Sequence, residues 1–293
     1  MAPGPPGTPL VRPPPVRSPD PAHRGATRMP SQPRVRVAGG PLSGPHALLR
    51  AGVVWEVLRE ALAQRARAAG RARLDVLDLG GGSGRFAVPV AGLGHHVTVV
   101  EPSPDALFAL ERRAAEEGVA DRVRGVQGDT QDMLDVAGRE GFDMVLCHGV
   151  LEQVEDPAVA LRSVVGALRR TGGTLSLLAA GVGGAVLSRA LAGRFTEARH
   201  ALEDPAGRWG EADPVPHRFA VAELTSLVTG AGLVPGEVHG VRVFADLVPG
   251  SLVDTEPDAL AELIRLETEA AARPAFQAIA GQLHVLARLP DDQ

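Results

Sequence analysis

Residues 78–84 read Asp-Leu-Gly-Gly-Gly-Ser-Gly, which is the pattern D-x-G-x-G-x-G. The apolar run at 74–79 leads into this stretch and predicts a short strand, and a helix is predicted to begin near Arg85. Glycines between a strand and a helix let a ligand pass close to the backbone, and the free N–H groups of the helix start attract polar or anionic groups. The stretch therefore predicts a ligand site at the end of the first strand of an α/β fold.

A second predicted strand spans about 96–100 and ends at Glu101, which lies 21 residues after Gly80. An acidic side chain at this place can accept both hydroxyls of an adenosine ribose, so the two stretches together predict an adenosine-containing cofactor. From Gly82 to Ala87 the loop also satisfies G-x-G-x-x-A, a permitted dinucleotide fingerprint. Two alternatives therefore stay open at this point: a site for a nicotinamide cofactor, and a tight glycine turn that binds no ligand.

Five short apolar strands alternate with helices, which predicts βαβ units and a mostly parallel sheet. Ser103-Pro104 and Asp156-Pro157 each place a capping side chain before a proline, the usual start of a helix. After Ala180 the pattern predicts an inserted lid at about 184–218. The predicted strands are 74–79, 96–100, 123–126, 142–147 and 174–180; the lid is followed by a helix at 220–231, a strand at 233–244, a helix at 256–272 and a strand at 283–289.

Composition excludes several classes of site. The chain has 293 residues, a net charge of −5, one cysteine and no lysine, because all 30 of its positive charges are arginines. A single cysteine excludes an intramolecular disulfide and a cysteine-rich zinc site. The absence of lysine excludes a P-loop lysine and a Schiff-base lysine. No metal site is predicted, since the neighbours His95 and His96 point to opposite faces of a strand.

The N-terminal part differs from the rest of the chain. The first 45 residues hold 13 of the 25 prolines, and residues 1–40 hold six arginines and one acid. This composition predicts a disordered Pro/Arg-rich tail at 1–44, with a basic arm that contacts RNA as the alternative. The folded domain is predicted to span 45–290. Because the tail has no apolar segment typical of a secretory signal, and no run of 18 apolar residues occurs, we expect a cytoplasmic protein without a membrane span.

The chain resembles the class I S-adenosylmethionine-dependent methyltransferases, which have a Rossmann-like α/β fold with helices on both faces of the sheet. The glycine motif carries this likeness, together with Gly128-Asp129 and the helix–Gly-Gly–strand element at 168–178. More narrowly, the chain is similar to the tRNA 5-carboxymethoxyuridine methyltransferase family. The stretches that carry the narrower likeness are Leu49-Arg50, residues 146–152 with Val154 and Asp156-Pro157, residues 240–244, residues 263–268 and Leu283-His284-Val285.

The resemblance implies the cofactor S-adenosylmethionine, the product S-adenosylhomocysteine and a set of binding residues. Arg50 would pair with the methionine carboxylate of the cofactor, Glu101 would hold its ribose, and His148 would face its methionine end. The remaining implied contacts come from the glycine loop and from two residues beside the adenine: Gly80, Gly81, Gly82, Thr130 and Gln131. The implied reaction converts the carboxylate of 5-carboxymethoxyuridine in tRNA into its methyl ester.

A carboxylate acceptor is already ionised at neutral pH, so the enzyme needs to position it rather than deprotonate it. Arg242 is the candidate that orients an anionic substrate, because a guanidinium can donate two parallel hydrogen bonds to a carboxylate. An amine or phenol acceptor would need a base, for which His148 and His217 are candidates. Arg194 and Arg218, in or beside the predicted lid, are weaker candidates for substrate contact.

Other functions stay open on the sequence alone. Residues 197–213 hold five acids and two arginines, where the resembled family carries a lysine-rich stretch, and this favours a small carboxylic acid over tRNA as the substrate. A small-molecule methyltransferase is therefore the first alternative. A Rossmann NAD(P) oxidoreductase and a non-catalytic cofactor-binding protein are the others. The sequence leaves the oligomeric state open.

Overall fold

A computed structural model describes Met1, residues 45–255 and residues 258–290; the side chains of residues 45–48, 50, 254 and 255 are not described. The predicted tail at 1–44 thus lies, apart from Met1, outside the described residues. The secondary structure belongs to one compact unit, Gly39–Gln293. Among the described residues, no helix is both long enough and apolar enough to span a membrane.

The described part of the chain forms one sheet of seven strands, in the order β3-β2-β1-β4-β5-β7-β6. Strands β1 to β5 run parallel, and β7 is antiparallel to both of its neighbours. Each of the five predicted N-terminal strands is confirmed to within two residues, and so is the mostly parallel sheet. The strands are β1 (Asp75–Leu79), β2 (His96–Glu101), β3 (Val123–Gln127), β4 (Met144–His148), β5 (Thr174–Ala180), β6 (Val234–Val241) and β7 (Gln282–Arg288).

Helices connect the strands and cover the sheet. The two helix starts predicted from a capping residue and a proline are confirmed: the Ser103 hydroxyl accepts the Ala106 N–H, and the Asp156 carboxylate accepts two N–H groups. The helices of the described residues are α1 (Pro45–Ala69), α2 (Ala87–Gly92), α3 (Pro104–Glu116), α4 (Met133–Ala137), α5 (Pro157–Ala167), α6 (Val182–Leu191), α7 (Phe195–Glu203), α8 (Val221–Gly230), α9 (Gly250–Thr255), α10 (Ala259–Ala271) and α11 (Pro274–Gln277).

Alternation along the strands builds a core on each face of the sheet. On β4, Val145 and Cys147 join the core that α5 and α8 cover, whereas Met144 and Leu146 join the core that α1, α2 and α3 cover. Apolar residues at helical spacing on these helices complete both layers. Burial on both faces explains why the central strands β1, β4 and β5 read as nearly continuous apolar runs. The parallel strands thus bring their carboxyl ends to one edge, where a ligand site is expected.

The region between β5 and α8 contains α6 and α7 followed by a loop. The start of α6 packs directly on the backbone that precedes β7: a Cβ at Gly183 would lie 1.8 Å from the Ala278 carbonyl oxygen, and one at Gly184 would lie 2.5 Å from that of Ala280. Only glycine permits this approach. The sequence predicts no helix boundaries in this region, and a lid function for residues 184–218 stays a prediction.

Two predicted elements differ from the structure. The strand predicted at 233–244 ends at Val241, because Arg242 has a φ of 58° and leaves the extended conformation. The helix predicted at 256–272 begins at Ala259, after α9 has ended at Thr255, and residues 256–257 lie outside the described residues.

Candidate active site

The glycine motif forms a tight turn between β1 and α2 at the carboxyl edge of the sheet. Gly80, Gly82 and Gly84 all have positive φ, between 55° and 79°, which favours glycine. A Cβ at Gly84 would lie 2.3 Å from the Leu110 side chain, and a Cβ at Gly81 would lie 2.6 Å from an oxygen of Asp78. These glycines are therefore required by backbone conformation and by contacts within the protein. Close approach of a ligand, the reason inferred from the sequence, stays a prediction for the same turn.

Glu101, at the end of β2, holds this turn in place. Its carboxylate accepts the Gly82 N–H at 3.0 Å and the Ser103 N–H at 3.1 Å. The side chain is only partly exposed and lies beside the turn, where a ribose role requires it to be. Glu101 is thus already part of the built site before any ligand binds.

Two cavities open at this edge of the sheet. The larger, of about 820 Å³, is lined by Gly80, Glu101, Thr130 and Gln131 among others. The structure thus brings together four of the residues that the sequence assigned to the ribose and adenine. Thr130 and Gln131 belong to a loop that Asp129 and Asp132 fix by accepting backbone N–H groups at 2.6 to 3.4 Å.

The smaller cavity, of about 270 Å³, adjoins the larger one, because Gly80 and Gly149 line both. Two of the candidates for contact with substrate or cofactor, His148 and Arg242, line this cavity. Its other lining residues come from α1, the glycine turn, the carboxyl ends of β1 and β5, and the start of β7: Ala51, Asp78, Gly81, Arg85, Phe86, Leu178 and Gln282. A ligand with an adenosine part and an amino-acid part can therefore occupy the two cavities as one molecule.

Asp78 is the acidic residue of the glycine motif, and it is a functional candidate to which the sequence alone assigns no role. The side chain is buried, it accepts a hydrogen bond from the backbone of Ala87, and its Oδ2 has no partner among the described residues. Burial, together with the nearby charge of Glu101, raises the pKa of Asp78 to about 7. A cationic group in the smaller cavity would favour the ionised form and supply the missing partner.

His148 ends β4 and lines the smaller cavity. Its Nε2 lies 2.8 Å from the Ser176 hydroxyl, which in turn lies 2.9 Å from Nε2 of the buried His284, and its ring meets Phe86 edge-on at 4.7 Å. Burial lowers the pKa of His148 to about 3. The ring is therefore neutral across the physiological range, and it is fixed in orientation by a chain of polar groups that crosses three strands.

Arg242 also lines the smaller cavity, directly after the end of β6. Its guanidinium donates to the Asp246 carboxylate at 2.6 and 2.9 Å, and this ion pair would compete with a bound substrate anion. Both partners are about one-third exposed. An exposed ion pair of this kind is weak. The guanidinium can therefore release Asp246 and bind an anionic ligand, or bind both at once.

The remaining candidates from the sequence either lie away from the two cavities or have side chains that are not among those described. The backbone of Arg50 belongs to α1, beside Ala51, but its side chain is not among those described. His217 lines neither cavity; its backbone N–H donates to the Glu152 carbonyl and its ring stacks on Phe219. Arg218 is buried against Asp213, which indicates a structural role.

Cys147 is buried, and burial raises the pKa of its thiol to about 12. Arg194 lies 3.6 Å from Glu197 and is more than half exposed. Neither residue lines the two cavities. The described site is therefore composed of the glycine turn, Glu101, the loop at 128–131 and the smaller cavity.

Comparison with known proteins agrees with this geometry. A family model described as a methyltransferase domain matches residues 77–175. The tRNA 5-carboxymethoxyuridine methyltransferase of Escherichia coli (strain K12) is 28% identical to this chain over 245 residues, which are 84% of this chain and 90% of that protein. A ubiquinone biosynthesis O-methyltransferase of Azorhizobium caulinodans is 33% identical over 126 residues, which are 42% of this chain and 48% of that protein.

A solved structure supports the fold. The S-adenosylmethionine-dependent methyltransferase from Methanosarcina mazei aligns with a TM-score of 0.51 over 76% of this chain and 95% of that one, at 16% sequence identity. The residues of the two cavities fit the cofactor, because an acid lies beside the glycine turn and the unpartnered Oδ2 of Asp78 can accept an ammonium group. The chain has the class I fold and is an S-adenosylmethionine-dependent methyltransferase.

Proposed function

We propose that this methyltransferase acts on a carboxylate, and that its substrate is the 5-carboxymethoxyuridine of tRNA. The observation that carries the proposal is Arg242, a guanidinium beside the cavity that adjoins the proposed cofactor site. The likeness to the tRNA 5-carboxymethoxyuridine methyltransferase of Escherichia coli supports the same acceptor, since it extends over 90% of that protein.

When bound, S-adenosylmethionine supplies a methyl group on a positively charged sulfur. The chain's own residues then have to hold an acceptor oxygen in line with that group and keep water away. Arg242 holds the acceptor carboxylate, while Phe86 and Leu178 supply apolar walls to the smaller cavity. Correct placement of two reactants is worth about 7–11 kcal/mol of a barrier. The reaction requires no general base, because a carboxylate acceptor is already ionised at neutral pH.

The low pKa of His148 favours a carboxylate over an amine or a phenol. A useful general base has a pKa near the working pH, and burial lowers that of His148 to about 3. His217, the other candidate base, lines neither cavity. A carboxylate acceptor is ionised without help, so the described cavities suit it better than an acceptor that must lose a proton.

The region between β5 and α8 does not repel RNA on charge alone. Residues 182–218 hold five acids and five arginines. Four of the five acids are paired with an arginine of the same region: Glu197 with Arg189, Glu203 with Arg199, Asp204 with Arg208 and Asp213 with Arg218. The excess of acids counted over 197–213 therefore disappears in the wider segment, which weakens the sequence argument against a tRNA substrate.

A small carboxylic acid is the second candidate substrate, because the smaller cavity of about 270 Å³ has room for a small anion. The test compares methyl transfer from labelled S-adenosylmethionine to tRNA that carries 5-carboxymethoxyuridine, to tRNA that lacks it, and to a panel of small carboxylic acids. We expect label only in the first tRNA. Label in a small acid and in neither tRNA would contradict the tRNA substrate while leaving a carboxylate methyltransferase.

A further inference from the structure

The backbone that follows Arg242 is bound by a carboxylate from a distant helix. Glu267, on α10, accepts the N–H groups of Val243, Phe244 and Ala245 at 2.9, 2.8 and 2.7 Å. The Glu267 side chain is buried, with 3% of the residue exposed. Three short bonds from consecutive N–H groups to one buried carboxylate are strong, because the acceptor is charged and water is excluded.

This contact determines the conformation at Arg242. Arg242 has a φ of 58°, and Arg242 and Glu140 are the two described residues other than glycine with positive φ. A side chain in this region is strained and persists only where the surroundings hold it. Glu267 holds it from one side, and on the other side the Gly281 N–H donates to the Arg242 carbonyl at 3.3 Å.

The sharp turn has a consequence for the site. It ends β6 at Val241 and turns the chain at the mouth of the smaller cavity, so that Arg242 lines that cavity while Val243 enters the core. An extended continuation of the strand would send alternate side chains to opposite faces and would move the guanidinium away. The position of Arg242 therefore depends on the turn that Glu267 binds.

We propose that Glu267 is a positioning residue that fixes Arg242 for binding of the anionic substrate. This inference rests on the proposed function only for the identity of the anion. Glu267 touches neither cavity and acts through the backbone of residues 243–245. Asp246 completes the arrangement, because it keeps the guanidinium paired with a carboxylate before a substrate carboxylate arrives.

The test variants are Glu267→Gln, which replaces a charged acceptor with an amide, and Glu267→Asp, which keeps the charge but withdraws it by one methylene. The matched control is Glu269→Gln on the same helix, whose side chain is exposed. We expect both Glu267 variants to raise the KM for the carboxylate substrate by about 10- to 100-fold, with kcat and the Kd for S-adenosylhomocysteine little changed. The control variant should leave all three unchanged.

A double-variant comparison separates positioning from general destabilisation. If Glu267 acts through Arg242, then adding Glu267→Gln to Arg242→Ala should raise KM no further, because the effect is already lost. An equal loss in both backgrounds, or a matching loss of cofactor binding, would overturn the proposal and make Glu267 a merely structural residue.

One readout needs no substrate and so separates failure of this inference from failure of the proposed function. Phenylglyoxal modification of Arg242, followed by peptide mass spectrometry, should proceed several-fold faster in both Glu267 variants than in the wild type and the Glu269→Gln control. Equal rates in all four folded proteins would refute the positioning role even if the wild type proved inactive on tRNA. Faster modification in a protein inactive on tRNA would refute only the substrate.

Discussion

Asp78 should make the stability of the ligand-free protein depend on pH. Burial and the neighbouring Glu101 raise the pKa of Asp78 from 3.8 to about 7 in the folded state. The folded protein thus keeps this proton at pH values where the unfolded chain has released it. The contribution of Asp78 to stability is therefore greatest below about pH 4, falls as the pH rises to about 7, and stays low above that.

The size of the effect follows from the pKa difference. A difference of about 3 units corresponds to about 4 kcal/mol in total, at 1.36 kcal/mol for each unit. In a series from pH 5 to pH 8, the loss of stability occurs between pH 5 and the folded-state pKa of about 7, a range of about two pH units. The wild type should therefore lose roughly 3 kcal/mol of stability from this group alone. The variant Asp78→Asn cannot ionise and should not show this loss.

The assay is urea unfolding of the ligand-free wild type and Asp78→Asn at pH 5, 6, 7 and 8 at constant ionic strength. The free energy of unfolding of the variant relative to the wild type should increase by roughly 3 kcal/mol across the series. Glu111→Gln, which removes an exposed carboxylate on α3, serves as the control for loss of a surface charge. A difference between Asp78→Asn and the wild type that is constant across the series would refute the burial argument.

Three further outcomes are expected. Glu101→Ala should weaken S-adenosylhomocysteine binding about 10- to 100-fold in calorimetry, since it removes charge-assisted hydrogen bonds; unchanged affinity would exclude Glu101 from the ribose site. Arg242→Ala should leave that affinity unchanged and reduce methyl transfer, and loss of cofactor binding in a folded variant would contradict this division of roles. In urea titrations, Gly84→Ala should lower the free energy of unfolding by about 1–3 kcal/mol more than Gly94→Ala. Both positions have positive φ, but the new methyl group would contact Leu110 only at Gly84. Equal losses in the two variants would contradict the packing argument.

Much of the fold could be predicted because the central strands β1, β4 and β5 are buried on both faces and read as nearly continuous apolar runs. Ser103-Pro104 and Asp156-Pro157 located two helix starts, since a capping side chain and a proline act locally. The helices between β5 and α8 were harder to predict. The start of α6 contains Gly183 and Gly184, which are poor helix formers but are needed for close backbone packing.

The site could be predicted in part, and the missed residues share a cause. Gly80, Glu101, Thr130 and Gln131 lie at or just after the carboxyl ends of strands, so a parallel sheet brings them to one cavity. The raised pKa of Asp78 depends on burial by surrounding elements, which no local pattern reports.

Contacts between distant residues were missed for the same reason. Glu267 lies 22 to 24 residues from the N–H groups that it binds, on another element. The positive φ of Arg242 results from that contact, so the predicted strand was extended too far, to residue 244.

The most direct test of the central claim is the chemical identity of the methylated product. After reaction of the wild type with labelled S-adenosylmethionine and tRNA carrying 5-carboxymethoxyuridine, nucleoside mass spectrometry should detect the methyl ester of that nucleoside. Mild alkali should release the label, because esters hydrolyse under conditions that leave N-methyl groups intact. No methyl ester, or label that resists alkali, from a protein that binds S-adenosylhomocysteine would contradict a carboxylate methyltransferase acting on this tRNA.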